Sequence, residues 1–151
     1  MRCFAVAQHD ERAGRPRSQK RLILANSDKF QLYKSAFDFT VYIEECFRNF
    51  KRADKYTIGL ELRRMVNDLL FKISTFNDLN RSEKAGFCSV LLKDIDKLQI
   101  KMNLCQELSV FKSYKSWYHA AEMLFDINAQ CEKLKKHFEG SGQNCGGNAL
   151  P

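Results

Sequence analysis

The stretch CSVLLKDIDKLQIKMNLC, residues 88–105, decides the fold. Its residues Cys88, Leu91, Ile95, Leu98, Met102 and Cys105 stand three and four positions apart, with Lys93, Asp94, Asp96, Lys97 and Lys101 between them. A half-buried strand alternates apolar and polar residues, whereas this spacing returns to one face of a 3.6-residue turn. The pattern predicts a helix over about residues 82–108. The same rhythm recurs on either side. Residues 56–77 carry Gly59, Leu62, Val66, Leu69, Ile73 and Phe76, and residues 114–138 carry Trp117, Ala120, Leu124, Ile127, Cys131, Leu134 and Phe138. Residues 30–51 carry Tyr33, Ala36, Thr40, Ile43, Phe47 and Phe50, with a second apolar set (Phe37, Phe39, Val41, Tyr42, Cys46) that widens the stripe.

The punctuation agrees with the periodicity. The prolines stand only at Pro16 and Pro151, and between residues 15 and 139 the glycines are Gly59 and Gly86. A β-sandwich or barrel needs a turn signal about every 8 to 12 residues, so an all-β fold is excluded. Short polar connections at 52–55, 77–81 and 109–113 force neighbouring helices to run antiparallel. The expected fold is an all-α, antiparallel up-down-up-down four-helix bundle over residues 28–138. Residues 1–27 are basic, polar and aperiodic and read as a flexible arm, with Asn26, Ser27 and Asp28 as a helix N-cap cluster. Residues 139–151 are rich in glycine and polar residues and read as a disordered tail.

With 151 residues, 44% of them hydrophobic and 28% charged, the composition is that of one globular domain. Twenty-five Lys and Arg against 18 Asp and Glu give a net charge of +7. Residues 1–29 hold seven basic and three acidic residues and residues 30–139 hold 18 and 15, so the helical region is only modestly basic. No apolar run approaches the roughly 18 to 20 residues that cross a bilayer. The six cysteines form no CxxC pair, and the first residues lack a secretory apolar core. The thiols are therefore expected as small buried hydrophobes in a reducing, cytoplasmic setting.

No constellation points to catalysis. A bundle di-iron site needs Glu-x-x-His on two helices. The chain offers only the reversed pair His119 and Glu122, which with Asp126 lies opposite the Trp117/Leu124 seam and reads as a solvated ridge. The other histidines, His9 and His137, fall in the arm and at a helix end, and neither a GxSxG element nor a glycine-rich phosphate loop occurs. No enzyme activity, cofactor or metal is expected. The basic residues are more informative. Arg48, Lys51, Arg52 and Lys55 close the first helix and its loop, Arg63 and Arg64 follow, and Lys93, Lys97 and Lys101 make a ridge on the third helix. Such clusters suit salt-dependent contact with nucleic-acid phosphates. Lys133, Lys135, Lys136 and His137 instead complement a helix C-terminus, by about 0.3 to 1 kcal/mol each. The wide apolar stripe of the first helix, and the mixed stripe of Tyr56, Leu60, Arg63, Asn67 and Leu70, fit either a subunit interface or a deeper core.

Tyr33 to Phe50, the element Lys55-Tyr56-Thr57-Ile58-Gly59, Leu91 to Leu108 and the aromatic Tyr118 together resemble the accessory variability determinant (Avd-like) four-helix bundle proteins of diversity-generating retroelements. The similarity covers about residues 30–138, and its most specific part is the aromatic-Thr-aliphatic-Gly element at 56–59 with basic residues on either side. The resemblance implies a homopentamer of bundles that binds the element's reverse transcriptase and its template-repeat RNA. It implies support of mutagenic cDNA synthesis without catalysis. Lys55, Arg63 and Arg64 match positions where that family is often basic and are the first candidates for RNA or polymerase contact, with Lys51 and Arg52 next. The chain departs from the family in lacking a proline before the element and a Gly-Trp at His137-Phe138. Bundle proteins encoded in ribosomal RNA intervening sequences share the pattern and imply the alternative, a structural or adaptor bundle with no retroelement role.

Overall fold

The computed structural model describes residues 27–142. The expected arm, except for Ser27, and the part of the expected tail beyond Gly142 lie outside the described residues. The chain divides into two units, Met1–Gln31 and Leu32–Pro151. Of the first only the helical residues 27–31 are described, and the packing below is that of the second.

The helices are α1 (Ser27–Arg48), α2 (Arg52–Lys55), α3 (Ile58–Thr75), α4 (Arg81–Glu107) and α5 (Tyr114–Gly142), with a 3-10 turn at Phe76–Asp78. Among the described residues there is no strand, and no helix is long and apolar enough to cross a membrane. All four long helices contribute to one core. The seams expected on α3 and α4 are buried throughout: Gly59, Leu62, Val66, Leu69 and Ile73 on α3, and Cys88, Leu91, Ile95, Leu98, Met102 and Cys105 on α4. Each fully buried aliphatic side chain contributes about 1.5 to 3 kcal/mol relative to exposure.

On α1 the expected Ala36, Thr40, Ile43 and Phe50 are buried and Phe47 packs against the core, but Leu32 takes the place of Tyr33, and Phe39 and Cys46 of the second apolar set join the seam. Phe50 lies just past the helix end, and Tyr33, Phe37 and Val41 are exposed. Apolar residues surround most of this helix, so periodicity alone admits several seams and the neighbouring helices select one. The expected loop at 52–55 is also replaced by a helical turn, α2. Thr57 Oγ1 donates to the Ala53 carbonyl at 2.9 Å and Lys55 Nζ to the Arg48 carbonyl at 2.8 Å, which ties this turn to the elements on both sides of it.

The remaining ends have local causes. Asn80 and Glu83 form a capping box at the start of α4. At its close Ser109 takes a left-handed conformation (φ 55°). The Val110 N–H then donates to the Cys105 carbonyl at 2.9 Å and the Ser109 N–H to the Gln106 carbonyl at 3.0 Å, a Schellman stop. Helix α5 passes the expected limit at 138. The Lys135–Glu139 pair (3.9 Å) and the Ser141 hydroxyl on the His137 carbonyl (2.9 Å) accompany the extra turn, so residues 139–142 are helix and not tail. Lys84, unremarked in the sequence, is buried with its Nζ 5.4 Å from the Phe76 ring centre and 5.7 Å from that of Phe138.

Polar links cross between the long helices. Lys101 Nζ reaches Glu61 at 2.7 Å and Lys72 pairs with Asp94, joining α3 to α4. Tyr42 Oη donates to the Ser116 carbonyl at 3.2 Å and Gln130 Nε2 to Ser35 Oγ at 2.9 Å, joining α1 to α5.

Candidate nucleic-acid interface

The site is built around Phe50. This residue follows α1 and packs edge-on to Phe111, in the α4–α5 connection, with ring centres 5.4 Å apart. It also lies against Gly59 in the first turn of α3: a Cβ on Gly59 would fall 2.9 Å from Phe50 Cδ2 and 2.7 Å from the Asp54 carbonyl oxygen. Only a residue without a side chain lets α2 fold this closely onto α3. Gly59 thus explains the aromatic-Thr-aliphatic-Gly element physically, and with Phe50 it gathers residues 48–64 and 107–118 at one end of the helical core.

That end concentrates charge. Residues 48–64 and 107–118 hold eight basic and three acidic residues, whereas the rest of residues 30–139 hold ten and twelve. The whole positive excess of the helical region therefore lies here. One of the three acids, Glu61, is answered by Lys101, whose hydrogen bond and charge hold its carboxyl below the usual carboxylate range.

The five candidate residues fall into two groups. Lys51, Arg52 and Arg64 are exposed. Arg63 and Lys55 have intramolecular partners: Arg63 Nε donates to the Glu44 carboxylate at 2.6 Å with its guanidinium 5.0 Å from the Phe47 ring centre, and Lys55 holds the last carbonyl of α1. The structure places all five in the segment between the end of α1 and the second turn of α3. It divides the expected lysine ridge of α4, since Lys101 pairs with Glu61 and Lys97 lies 3.8 Å from Asp94. Periodicity did not single out Lys112 and Lys115, which the Phe50–Phe111 contact brings to the same end, nor the exposed ring of Tyr114, whereas Tyr56, placed by periodicity in a mixed stripe, is exposed as well. The signal available for them was their position in or beside connections that also carry basic residues.

The described cysteines are core residues. Cys46, Cys88, Cys105 and Cys131 are free and buried. Burial pushes the Cys105 thiol up to about 11 and the Cys131 thiol up to about 12, which disfavours the nucleophilic thiolate. His119 and Glu122 are exposed, 3.9 Å apart, with the His119 ring edge-on to Tyr42. Among the described residues no group of three or more His, Cys, Asp or Glu side chains is arranged to hold a metal ion. No protein-family model and no curated protein sequence matches the chain.

Proposed function

We propose that the chain is a non-catalytic, cytoplasmic accessory protein of a diversity-generating retroelement, binding a reverse transcriptase and template-repeat RNA to support mutagenic cDNA synthesis. The observation that carries this reading is the concentration of positive charge beside Gly59, where Lys51, Arg52 and Arg64 are exposed. A dense basic end attracts a polyanion through phosphate contacts and counterion release. Lys55 and Arg63 belong to the same surface and hold its backbone and neighbouring side chains in place.

The proposed architecture is a homopentamer of antiparallel up-down-up-down four-helix bundles. The order of the interhelical links supports the antiparallel part. From Glu61 to Lys72 along α3 the partners on α4 fall from Lys101 to Asp94, and from Ser35 to Tyr42 along α1 those on α5 fall from Gln130 to Ser116. The exposed apolar residues Tyr33, Phe37 and Val41 on α1, and Ile100 and Leu104 on α4, support subunit contact. These same faces favour the second reading, a structural or adaptor bundle of the ribosomal RNA intervening-sequence type.

The test joins RNA binding, titrated against salt, to the solution mass of the purified protein. The reading requires affinity that falls steeply with salt and a mass near five protomers. A monomer indifferent to RNA overturns it. Reversing the charge of Arg63 and Arg64 together should abolish RNA association, whereas an adaptor would keep its partner.

A further inference from the structure

We propose that the basic end takes RNA in unpaired form, with Tyr56 and Tyr114 as platforms on which bases stack; this rests on the RNA-binding reading above and adds the strand state and the stacking residues. Tyr56 is 71% exposed and Tyr114 63% exposed. Exposed rings of this size contribute nothing to the core, and both stand among cations: Tyr56 follows Lys55, and Tyr114 lies between Lys112 and Lys115.

The chain around Tyr56 is held in place, and the Tyr114 ring itself is supported. On either side of Tyr56, Lys55 and Thr57 are fixed to the carbonyls of Arg48 and Ala53. Tyr114 opens α5 and packs 5.3 Å from Trp117 and 6.1 Å from Tyr118, nearly parallel to the latter at 27°. Aromatic faces set in a positively charged surface are the features by which proteins hold single strands, because every base offers a π-face and the backbone follows the cations. A duplex keeps its base faces stacked inside and would use the cations alone. The combination therefore favours an unpaired strand over a helix of RNA.

The experiment measures binding of a labelled oligouridylate, with an RNA duplex of equal length as competitor, to the full chain and to Tyr56→Ala, Tyr114→Ala, Tyr56→Phe, Lys51→Gln and Arg52→Gln variants. Each alanine variant should lose roughly 5- to 150-fold in affinity with its salt dependence unchanged. Tyr56→Phe should bind as the parent does, and the duplex should compete poorly. Lys51→Gln and Arg52→Gln should each make the salt dependence shallower. Thermal unfolding of the Tyr56 variants should match the parent, and that of Tyr114→Ala should fall only slightly, from the lost contacts with Trp117 and Tyr118. Alanine variants that bind like the parent, or a duplex that competes equally, overturn the stacking proposal while leaving RNA binding intact. A parent chain that binds neither probe overturns the RNA reading as well. Alanine variants that change only the mass of the assembly assign the tyrosines to a subunit contact and overturn the proposal.

Discussion

Arg63 donates from Nε to the Glu44 carboxylate at 2.6 Å while its guanidinium lies 5.0 Å from the centre of the Phe47 ring. Its charge is thus already answered within the molecule, by a carboxylate and an aromatic face on α1. Arg64, one position on, is exposed and has Glu61 as its charged neighbour on α3. Adjacent arginines of the same element therefore have different tasks, one joining two helices and one facing solvent.

Arg64→Gln should accordingly weaken RNA binding more than Arg63→Gln does. Glu44→Gln should strengthen it, by releasing the Arg63 guanidinium. A double-mutant cycle on Glu44 and Arg63, read by urea unfolding, should give a coupling of about 0.5 kcal/mol, because the Arg63 side chain is 43% exposed and solvent screens the pair. Equal losses of RNA affinity for the two arginine variants would remove the distinction.

The two interior glycines of the helices give opposed predictions. Gly59→Ala puts a methyl group 2.7 Å from a backbone oxygen, and backbone does not yield cheaply. It should destabilise by about 1 to 3 kcal/mol even though alanine is the better helix former by about 1 kcal/mol, and it should weaken RNA binding by displacing α2. Gly86 is exposed in α4, and a Cβ there meets nothing within 4 Å. Gly86→Ala should therefore stabilise by about 0.4 to 1 kcal/mol. Urea midpoints of the two variants should move in opposite directions.

This contrast marks what was legible in the sequence. The seams of α3 and α4 could be read because an unbroken repeat of apolar residues three and four apart runs along each helix, even though Phe71, Val90, Ile100 and Leu104 stand exposed off it. On α1 apolar residues point several ways, so Tyr33 and Phe47 could not be told from Leu32 and Phe39 without knowing which neighbours would cover them. Helix α2 has four residues and no buried position, hence no periodicity to detect; hydrogen bonds to its flanks and the space left by Gly59 accompany it. At the candidate site the cations were visible one by one. Their partners Glu44, Asp94 and Glu61 were not, since cross-helix pairing depends on a register that local spacing does not encode.

Ser109 supplies a stability test remote from the charge cluster. It occupies the left-handed position of the stop after α4 with φ 55°, a conformation that costs a residue bearing a Cβ about 1 to 2 kcal/mol. Glycine removes that strain but gains freedom in the unfolded chain. Ser109→Gly should therefore raise stability by about 0.5 to 1 kcal/mol. Ser109→Val should lower it, because a β-branched residue fits this conformation worst. The order Gly above Ser above Val in unfolding midpoint is the expected result.

The buried thiols make stability depend on alkaline pH. Cys131 is wholly buried on α5, and its thiol is pushed from the ordinary 9.0 up to about 12, chiefly by burial and secondarily by neighbouring Cys88. Above about pH 9 the unfolded chain releases this proton while the folded chain retains it. The unfolded state then binds fewer protons, and stability falls as pH rises toward 12, at up to about 1.4 kcal/mol per unit for this one group. Cys105 contributes in the same sense up to about 11. Other groups also titrate in this range, so the informative quantity is the difference between the parent and Cys131→Ala. The alanine variant should be the less stable at about pH 8, where the parent gains from packing the sulfur. Between about pH 8 and about pH 10 that advantage should shrink by roughly 1 kcal/mol, as measured by urea unfolding of both proteins in each buffer. A difference that stays constant across the two buffers would show that Cys131 does not ionise selectively in the unfolded chain.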